Sequence, residues 1–584
     1  MKHPCSPSRS RRRARRATLS GAVLLLAAGL PGAGAASPTL DAVPDAWGPL
    51  VTLRNPDGRA VSPIHATLLP NGTVLLLGTT LQDAGPADLD IGSRSSFILD
   101  PSAPDAPSGT MTVAPIEQPV DLRSVDIGPW TITDDLFCSG HSLLADGRFF
   151  SAGGTRAVEI DGVADPLVVG LSYATVFDAV TSTWSRVPEA MKAPGPENVP
   201  GARWYPTVTR LANGRMLVTS GFDQVQPDPS INVSTEIYDP ETETWAVASA
   251  LGQVPLDIIN SDYSHVFSLP DPIGRFDTLT LGEPGVPVLG ASSSGGWYVV
   301  PALRPGSEDF AAERQRNGGA WDSERAPGHG SSAAMLPIRT VKGDRGYRNG
   351  AVLVTGGARG TVHEQAIDVF DPATQQWRPT IGTGTARHHP TTVGLPDGRM
   401  LIINGHSPDP QVRRTMYLDP LDNFRLTRGQ ADGGEVRGYH SVSLLMPDGR
   451  VLVAGGRDIS TKSSIEKPNY RFYYPHYMFL PRPRIVAAPT TLRYGLPFLV
   501  ASDNRAPADA VLIGLGSMTH SFDMNQRTIQ LPLTALGGNG VTTVSAVSPP
   551  ADPSTAPPGP YMLVVLDADR VPSKAAMVML GPAG

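Results

Sequence analysis

Tyr439 and His440, two side chains with metal-binding chemistry, head the stretch 437–456, RGYHSVSLLMPDGRVLVAGG. Two apolar runs follow, Ser441 to Met446 and Val451 to Ala454, joined by Asp448-Gly449 and closed by Gly455-Gly456. A DG pair between apolar β-type runs predicts a hairpin. Other copies of the stretch carry chemistry at the same place. Nine residues before a turn glycine stand Cys138 (Gly147), Tyr205 (Gly214), His389 (Gly398) and His440 (Gly449). Three or four nucleophilic or ligating side chains at one register are more than composition would supply. The plain structural alternative is that aromatic and histidine side chains plug the mouth of a channel.

The elements that must position these groups repeat. Turn pairs recur at Asn71-Gly72, Asp146-Gly147, Asn213-Gly214, Asn349-Gly350, Asp397-Gly398 and Asp448-Gly449. A second pattern, aromatic-Asp followed by Trp, recurs at Phe177-Asp178 with Trp184, Tyr238-Asp239 with Trp245, and Phe370-Asp371 with Trp377. The two together resemble the kelch repeat, in which four strands make one propeller blade. A degenerate seventh copy fits the gap at 263–276, YSHVFSLPDPIGRF. The expectation is an all-β chain with a seven-bladed kelch-type β-propeller over 37–480. In that ring Cys138, Tyr205, His389 and His440 face one axial region. Trp47 and Val51 to Leu53 are expected to supply an outer strand to the last blade. Residues 467–484, aromatic and Pro-rich, read as a connection packed against the propeller. Beyond it, β-type runs at Pro497–Ala501, Ala510–Ile513, Thr528–Leu531, Thr542–Val547, Tyr561–Leu566 and Ala575–Leu580 predict a C-terminal immunoglobulin-like (E-set) sandwich over 481–584.

Residues 1–36 read as a signal peptide. Lys2 and six arginines between Arg9 and Arg16 precede the apolar run Leu19 to Leu30 and an Ala33-Gly34-Ala35 cleavage site. The run is shorter than the ~20 residues of a membrane span and is broken by Pro31, so secretion is expected rather than a retained anchor. The adjacent arginines also permit the twin-arginine route, although Ala17-Thr18-Leu19 matches it poorly. The full chain carries formal charge −7; loss of this basic segment makes the mature chain more acidic, and no basic patch suggests nucleic acid. Of two cysteines, Cys5 leaves with the signal, so the mature chain holds Cys138 alone and an intrachain disulfide is excluded. A single thiol in an oxidising compartment calls for a chemical explanation.

Four segments in order, DLFCSGHSLLADGRFFSAGG (135–154), ARWYPTVTRLANGRMLVTSG (202–221), RGYHSVSLLMPDGRVLVAGG (437–456) and THSFDMNQR (519–527), are similar to the copper-radical oxidases, the galactose oxidase and glyoxal oxidase group. The ending PPGPYMLVVLDADRVPS (557–573) resembles their C-terminal sandwich. The resemblance implies a thioether joining Cys138 to Tyr205. Tyr205 would be the radical site and an equatorial copper ligand, Tyr439 the axial ligand and general base, and His440 and His520 the remaining ligands. The cofactors implied are one copper ion and the Cys138–Tyr205 thioether radical. His389 matches no ligand of that family and is expected behind the ligands. The resemblance leaves open which tryptophan stacks on the thioether, with Trp204, Trp130 and Trp245 as candidates. It implies that the Tyr439 oxygen takes a hydroxyl proton and the Tyr205 radical a hydrogen atom from the substrate carbon, while O2 leaves as H2O2. No carbohydrate-binding domain is read before the propeller, and the stretch between Cys138 and Tyr205 is long; both favour the glyoxal oxidase side.

The expected activity is therefore oxidation of small aldehydes, as hydrates, by a secreted monomer with O2 as partner. Two rivals are primary-alcohol or sugar oxidation by the same centre, and a non-catalytic kelch propeller that binds glycan or protein. Other motifs are weak. Gly514-Leu515-Gly516 is too short for a nucleotide loop. His388-His389, taken as a separate metal site, lacks a carboxylate partner in the sequence. Asn71 and Asn232 head glycosylation acceptor triplets.

Overall fold

The turn pairs shape the chain as their side chains dictate. In the computed structural model, the Asn or Asp carboxyl or amide oxygen accepts the backbone N–H two residues on: Asn71 from Thr73 (3.1 Å), Asp146 from Arg148 (3.0 Å), Asn213 from Arg215 (3.1 Å), Asp397 from Arg399 (3.0 Å) and Asp448 from Arg450 (3.0 Å). The glycine between them takes a left-handed backbone, from Gly214 at φ 83° to Gly449 at φ 96°. This is a type I turn closed by a glycine bulge, a common hairpin connection. The structure describes residues 43–581 except 81–94, 103–109, 113, 117–124, 128–129, 161–166, 193–200, 227–229, 233, 248–262, 271–287, 292–296, 301–329, 341–346, 360–361, 372–375, 459–465, 504, 506, 540 and 552. The expected signal segment 1–36 lies outside the described residues.

The described chain is all-β apart from short turns. The hairpins head sheets whose first strands are Val61–Leu68, Gly140–Leu143, Thr207–Arg210, His265–Ser268, Ser332–Met335, His388–Gly394 and Ser441–Leu445. These first strands are buried along their whole length. They lie side by side in two runs. One goes from Val61–Leu68 through Ser441–Leu445 and His388–Gly394 to Ser332–Met335. The other goes from Gly140–Leu143 through Thr207–Arg210 to His265–Ser268. Each aromatic-Asp-Trp pattern forms the outer hairpin of its sheet, with Phe177 opposite Trp184, Tyr238 opposite Trp245 and Phe370 opposite Trp377. The paired rings sit 5.0–5.1 Å apart, within the range for favourable aromatic contacts.

Ala46–Trp47 and Val51–Arg54 pair with Asn469–Tyr474 at the outer side of the sheet begun by Ser441–Leu445. The stretch expected to be a connection is therefore a strand over Asn469–Tyr474, followed by a single 3-10 turn at His476–Phe479. The physical reason lies in the order of its residues. Aromatic side chains suit a largely buried strand, and the prolines flank it, Pro468 just before and Pro475 just after, so none interrupts the ladder.

The C-terminal runs form two sheets. One is ordered Thr528–Leu531, Asp509–Gly514, Gly559–Leu566, Ala576–Gly581, Thr491–Arg493, with Ile338–Arg339 added in parallel at its edge. The other is ordered Ile485–Ala487, Phe498–Asp503, Thr542–Val547, Leu533–Gly538. One hairpin leaves this region. Ser517–Thr519 and Phe522–Asp523 pair with each other, and Ser517–Thr519 extends the sheet of Val61–Leu68, with Thr519 opposite His65. The same hairpin touches the first strands Gly140–Leu143, Ser332–Met335, His388–Gly394 and Ser441–Leu445. It carries His520 among them.

Candidate metal centre

Backbone conformation marks the register positions. Cys138 (φ 62°), Tyr205 (64°), Tyr263 (40°), His389 (54°), His440 (68°) and His520 (44°) all lie in the left-handed region. Such residues cost ~1–3 kcal/mol each and gather at functional sites, where the surroundings hold them. Hydrogen bonds link the positions across sheets: Tyr205 N–H donates to the Cys138 carbonyl and His389 N–H to the Gly330 carbonyl, both at 2.8 Å. Behind three of them sits a buried arginine. Arg203 donates to the Ser220 carbonyl, Arg387 to Asn404 and Arg437 to Gly455, at 2.6–2.7 Å. Each arginine thus ties the head of a first strand to the end of its second.

Four of the sequence-predicted residues converge. The Tyr205 and Tyr439 hydroxyls share a hydrogen bond. The His520 ring lies 4.9 Å from Tyr205, 5.0 Å from Tyr439 and 4.6 Å from His440, nearly perpendicular to each. Both imidazoles are oriented through Nδ1, His440 by the Glu466 carboxylate and His520 by the Thr519 hydroxyl, each at 2.6 Å. Nδ1–H donation fixes the tautomer that leaves a lone pair on Nε2. The Nε2 atoms of His440 and His520 are buried and have no hydrogen-bond partner. Burial above all, then the imidazoles of His440 and His65, hold His520 well below the usual histidine range, so its ring is neutral. Two orphaned imidazole nitrogens beside two phenol oxygens fit a tetragonal copper ion.

Cys138 is buried and packs in the same apolar cluster as Tyr205. Trp204 lies against Tyr205, centroids 3.9 Å apart, and its indole N–H donates to Thr155 Oγ1 at 3.0 Å. Trp245 instead packs on Tyr238 and Phe150, and the Trp130 side chain lies outside the described set. His389 stands beside Tyr439, rings 5.1 Å apart. Asn232, one of the two glycosylation candidates, is 1 % exposed and donates to the Ala202 carbonyl.

Several residues escaped sequence reasoning. Tyr263, at the head of the degenerate copy, touches both Tyr205 and His520 at 4.9 Å and donates to the Ser139 carbonyl at 3.0 Å. Its place at the start of YSHVF was the available signal. A buried chain runs from Ser517 Oγ to His141 Nδ1 (2.6 Å), from His141 Nε2 to His65 Nδ1 (3.1 Å), and from the Cys138 N–H to His65 Nε2 (3.2 Å). It couples the C-terminal hairpin to the Cys138 backbone. Glu466 had no local signal.

Residues 482–580 match the family described as "Galactose oxidase-like, Early set domain". Over 551 residues the chain is 26 % identical to galactose oxidase of Gibberella zeae, covering 91 % of this chain and 70 % of that protein. It is also 26 % identical to aldehyde oxidase GLOX1 of Arabidopsis thaliana, covering 89 % and 83 %. Among solved structures it resembles a "Novel fungal alcohol oxidase with catalytic diversity among the AA5 family, in complex with copper", with a TM-score of 0.62, 18 % identity and coverage of 92 % and 99 %. That last likeness speaks to the fold. The chain is all-β and carries an Early set domain, and the relatives it matches are named as oxidases. The findings together support the copper-radical oxidase family for this chain. No helix among the described residues is long and apolar enough to cross a membrane.

Proposed function

We propose that this protein is a secreted copper-radical oxidase that converts small aldehydes, as their hydrates, to carboxylic acids while O2 becomes H2O2. The observation that carries the reading is the orphaned Nε2 pair of His440 and His520 in a cluster of rings with the hydrogen-bonded Tyr205 and Tyr439. Tyr205, Tyr439, His440 and His520 would hold the metal. Copper, when bound, supplies one-electron chemistry and an open position for a substrate oxygen. Tyr439 accepts the proton of the substrate hydroxyl. Tyr205, joined to Cys138 by a thioether, takes the hydrogen atom from the substrate carbon. Trp204 shields its ring. Glu466 and Thr519 keep the two imidazoles aimed. Two electrons and two protons leave the hydrate, and O2 accepts both pairs as H2O2.

The fold carries this reading if the two runs of first strands close into one ring of seven blades over 37–480, with the sandwich of 481–584 delivering His520 to its axis. The side-by-side first strands and the hairpin touching four of the sheets support that arrangement. Two measurements on copper-treated, aerated protein test the function. Intact mass should fall by two hydrogens with loss of the titratable thiol, and Cys138→Ser should show neither change. Peroxide release should be greatest with aldehydes in a panel that includes primary alcohols and sugars. Peroxide from alcohols or sugars alone would move the substrate class. Full oxidase activity with an intact thiol and unchanged mass would overturn the radical assignment.

A further inference from the structure

A second group of imidazoles lies beyond His389. His388 and His406 are directly opposed across the hairpin His388–Gly394/Met400–His406, with ring centroids 4.8 Å apart. Opposed residues of an antiparallel pair project on the same face. The third ring, His363, arrives on the small hairpin Ala358–Arg359/Val362–His363 and lies 5.1 Å from His388 and 5.4 Å from His406. Backbone bonds hold it there. Gly357 N–H donates to the Arg387 carbonyl (2.8 Å), Arg387 N–H to Glu364 (3.0 Å), and Glu364 N–H to Gly357 (2.9 Å). The residues following His363 and preceding His388 are thus bonded to each other, so main chain holds the two histidines side by side.

We propose that His363, His388 and His406 form a second metal site, for a nitrogen-preferring divalent cation such as Zn2+ or Cu2+. One ligand nitrogen from each residue lies within 4.8 Å of the others. Tetrahedral bonding at ~2.0–2.1 Å would bring such nitrogens to roughly 3.3 Å, a closure within reach of side-chain rotation. The Nδ1 atoms of His363 and His406 are shielded from solvent and have no hydrogen-bond partner. Gly438 leaves the space above His406 open: a Cβ there would stand 2.3 Å from Nδ1. Three imidazoles without a carboxylate ligand suit Zn2+ or Cu2+ rather than Mg2+ or Ca2+. His363 is only half-buried, which leaves a fourth position for water, as in three-histidine sites generally. The group is separate from the Tyr205–Tyr439 cluster, although His389 bridges them by stacking on His388 at 4.1 Å and meeting Tyr439 at 5.1 Å.

The test counts metal by mass spectrometry after saturation with Zn2+ or with Cu2+ and removal of loose ions, on full-length protein. Wild type saturated with Cu2+ should hold about two ions per chain, and His440→Ala/His520→Ala about one. The His363→Asn variant changes the most exposed of the three ligands, and its far-UV spectrum is the check on folding. It should lose one ion and weaken the remaining Zn2+ affinity of the His440→Ala/His520→Ala background by roughly tenfold or more. In that background the copper spectrum should show imidazole nitrogen couplings that His363→Asn alters. If His440→Ala/His520→Ala keeps one ion while wild type also holds only one, this site stands and the Tyr205 centre falls. If wild type holds one ion and His440→Ala/His520→Ala holds none, or if folded His363→Asn keeps the full count, the second site is overturned.

Discussion

Glu466 meets His440, a proposed ligand, by a hydrogen bond of 2.6 Å to Nδ1, and lies 3.7 Å from Arg457. That bond does two things at once: it fixes the ring plane and keeps the proton off Nε2. A carboxylate behind a ligating histidine also raises the basicity of the ligand. Glu466→Gln preserves the shape but gives up the charge. The expected result is a Cu(II) affinity lowered by roughly 10–100-fold, read by competition with a chelator of known affinity, with little change in melting temperature of the metal-free protein. An unchanged affinity would mean that packing alone orients His440. The left-handed backbone at Cys138, Tyr205, His389 and His440 belongs to the same scale. Each of these side chains leaves the head of its strand by way of a conformation that ordinary residues avoid.

At the scale of elements, the glycine after each second strand allows the next sheet to come close. A Cβ on Gly455 would meet the Pro63 carbonyl oxygen at 1.9 Å, and one on Gly153 the Arg203 carbonyl at 2.3 Å. Both glycines also need a left-handed backbone, φ 61° and 70°. Gly72 needs the conformation, φ 86°, but has open space around it. Comparing the two separates backbone strain from close approach. Gly72→Ala is expected to cost ~1 kcal/mol, the left-handed penalty alone. Gly455→Ala is expected to cost at least ~2 kcal/mol more, because main chain rather than a movable side chain must yield. Denaturant unfolding of the two variants beside wild type measures the difference. Equal losses would show that the sheets do not depend on that approach.

For the whole molecule, buried histidines set the response to acid. Burial lowers His141 to about 3, and His265 and His406 to about 4, against 6.5 for an exposed ring. His65 and His520 are held down in the same direction, chiefly by burial. The unfolded chain accepts protons near pH 6.5, whereas the folded chain refuses them until about pH 4. Acid therefore favours unfolding: stability is full above pH 6.5 and is lost as pH falls toward 4, by up to ~1.4 kcal/mol per pH unit for each such histidine. Melting temperatures of metal-free protein in chelator should drop across that window. His265→Gln, which touches Phe522 rather than any of the proposed ligands, should make the drop shallower by about one histidine's share. A flat profile between pH 6.5 and 4 would contradict the burial of these rings in solution.

Local chemistry was legible because it is written within a few residues. The Asx–Gly turns, the apolar runs beside them and the aromatic–Trp outer hairpins each depend on neighbours in sequence, and the strands at Thr528–Leu531 and Thr542–Val547 fall where their β-branched runs stand. The shared offset of Cys138, Tyr205, His389 and His440 was visible because repetition writes the same register several times. One local reading failed at Asn469–Tyr474, where the prolines that follow the strand coloured the whole stretch. What the sequence could not decide were the contacts made across long separations. His520 reaches the cluster because Ser517–Thr519 pairs with Val61–Leu68, about 450 residues earlier. Glu466 behind His440, Tyr263 beside Tyr205, Trp204 rather than Trp245 on that ring, and His363 and His406 around His388 depend on how sheets pack against one another. No residue announces such a neighbour, since pairing between distant segments is set by the burial of whole faces and by which strands lie side by side. The residue types, their register and the hairpins that bear them were in the chain; their convergence on two clusters of rings came only with tertiary packing.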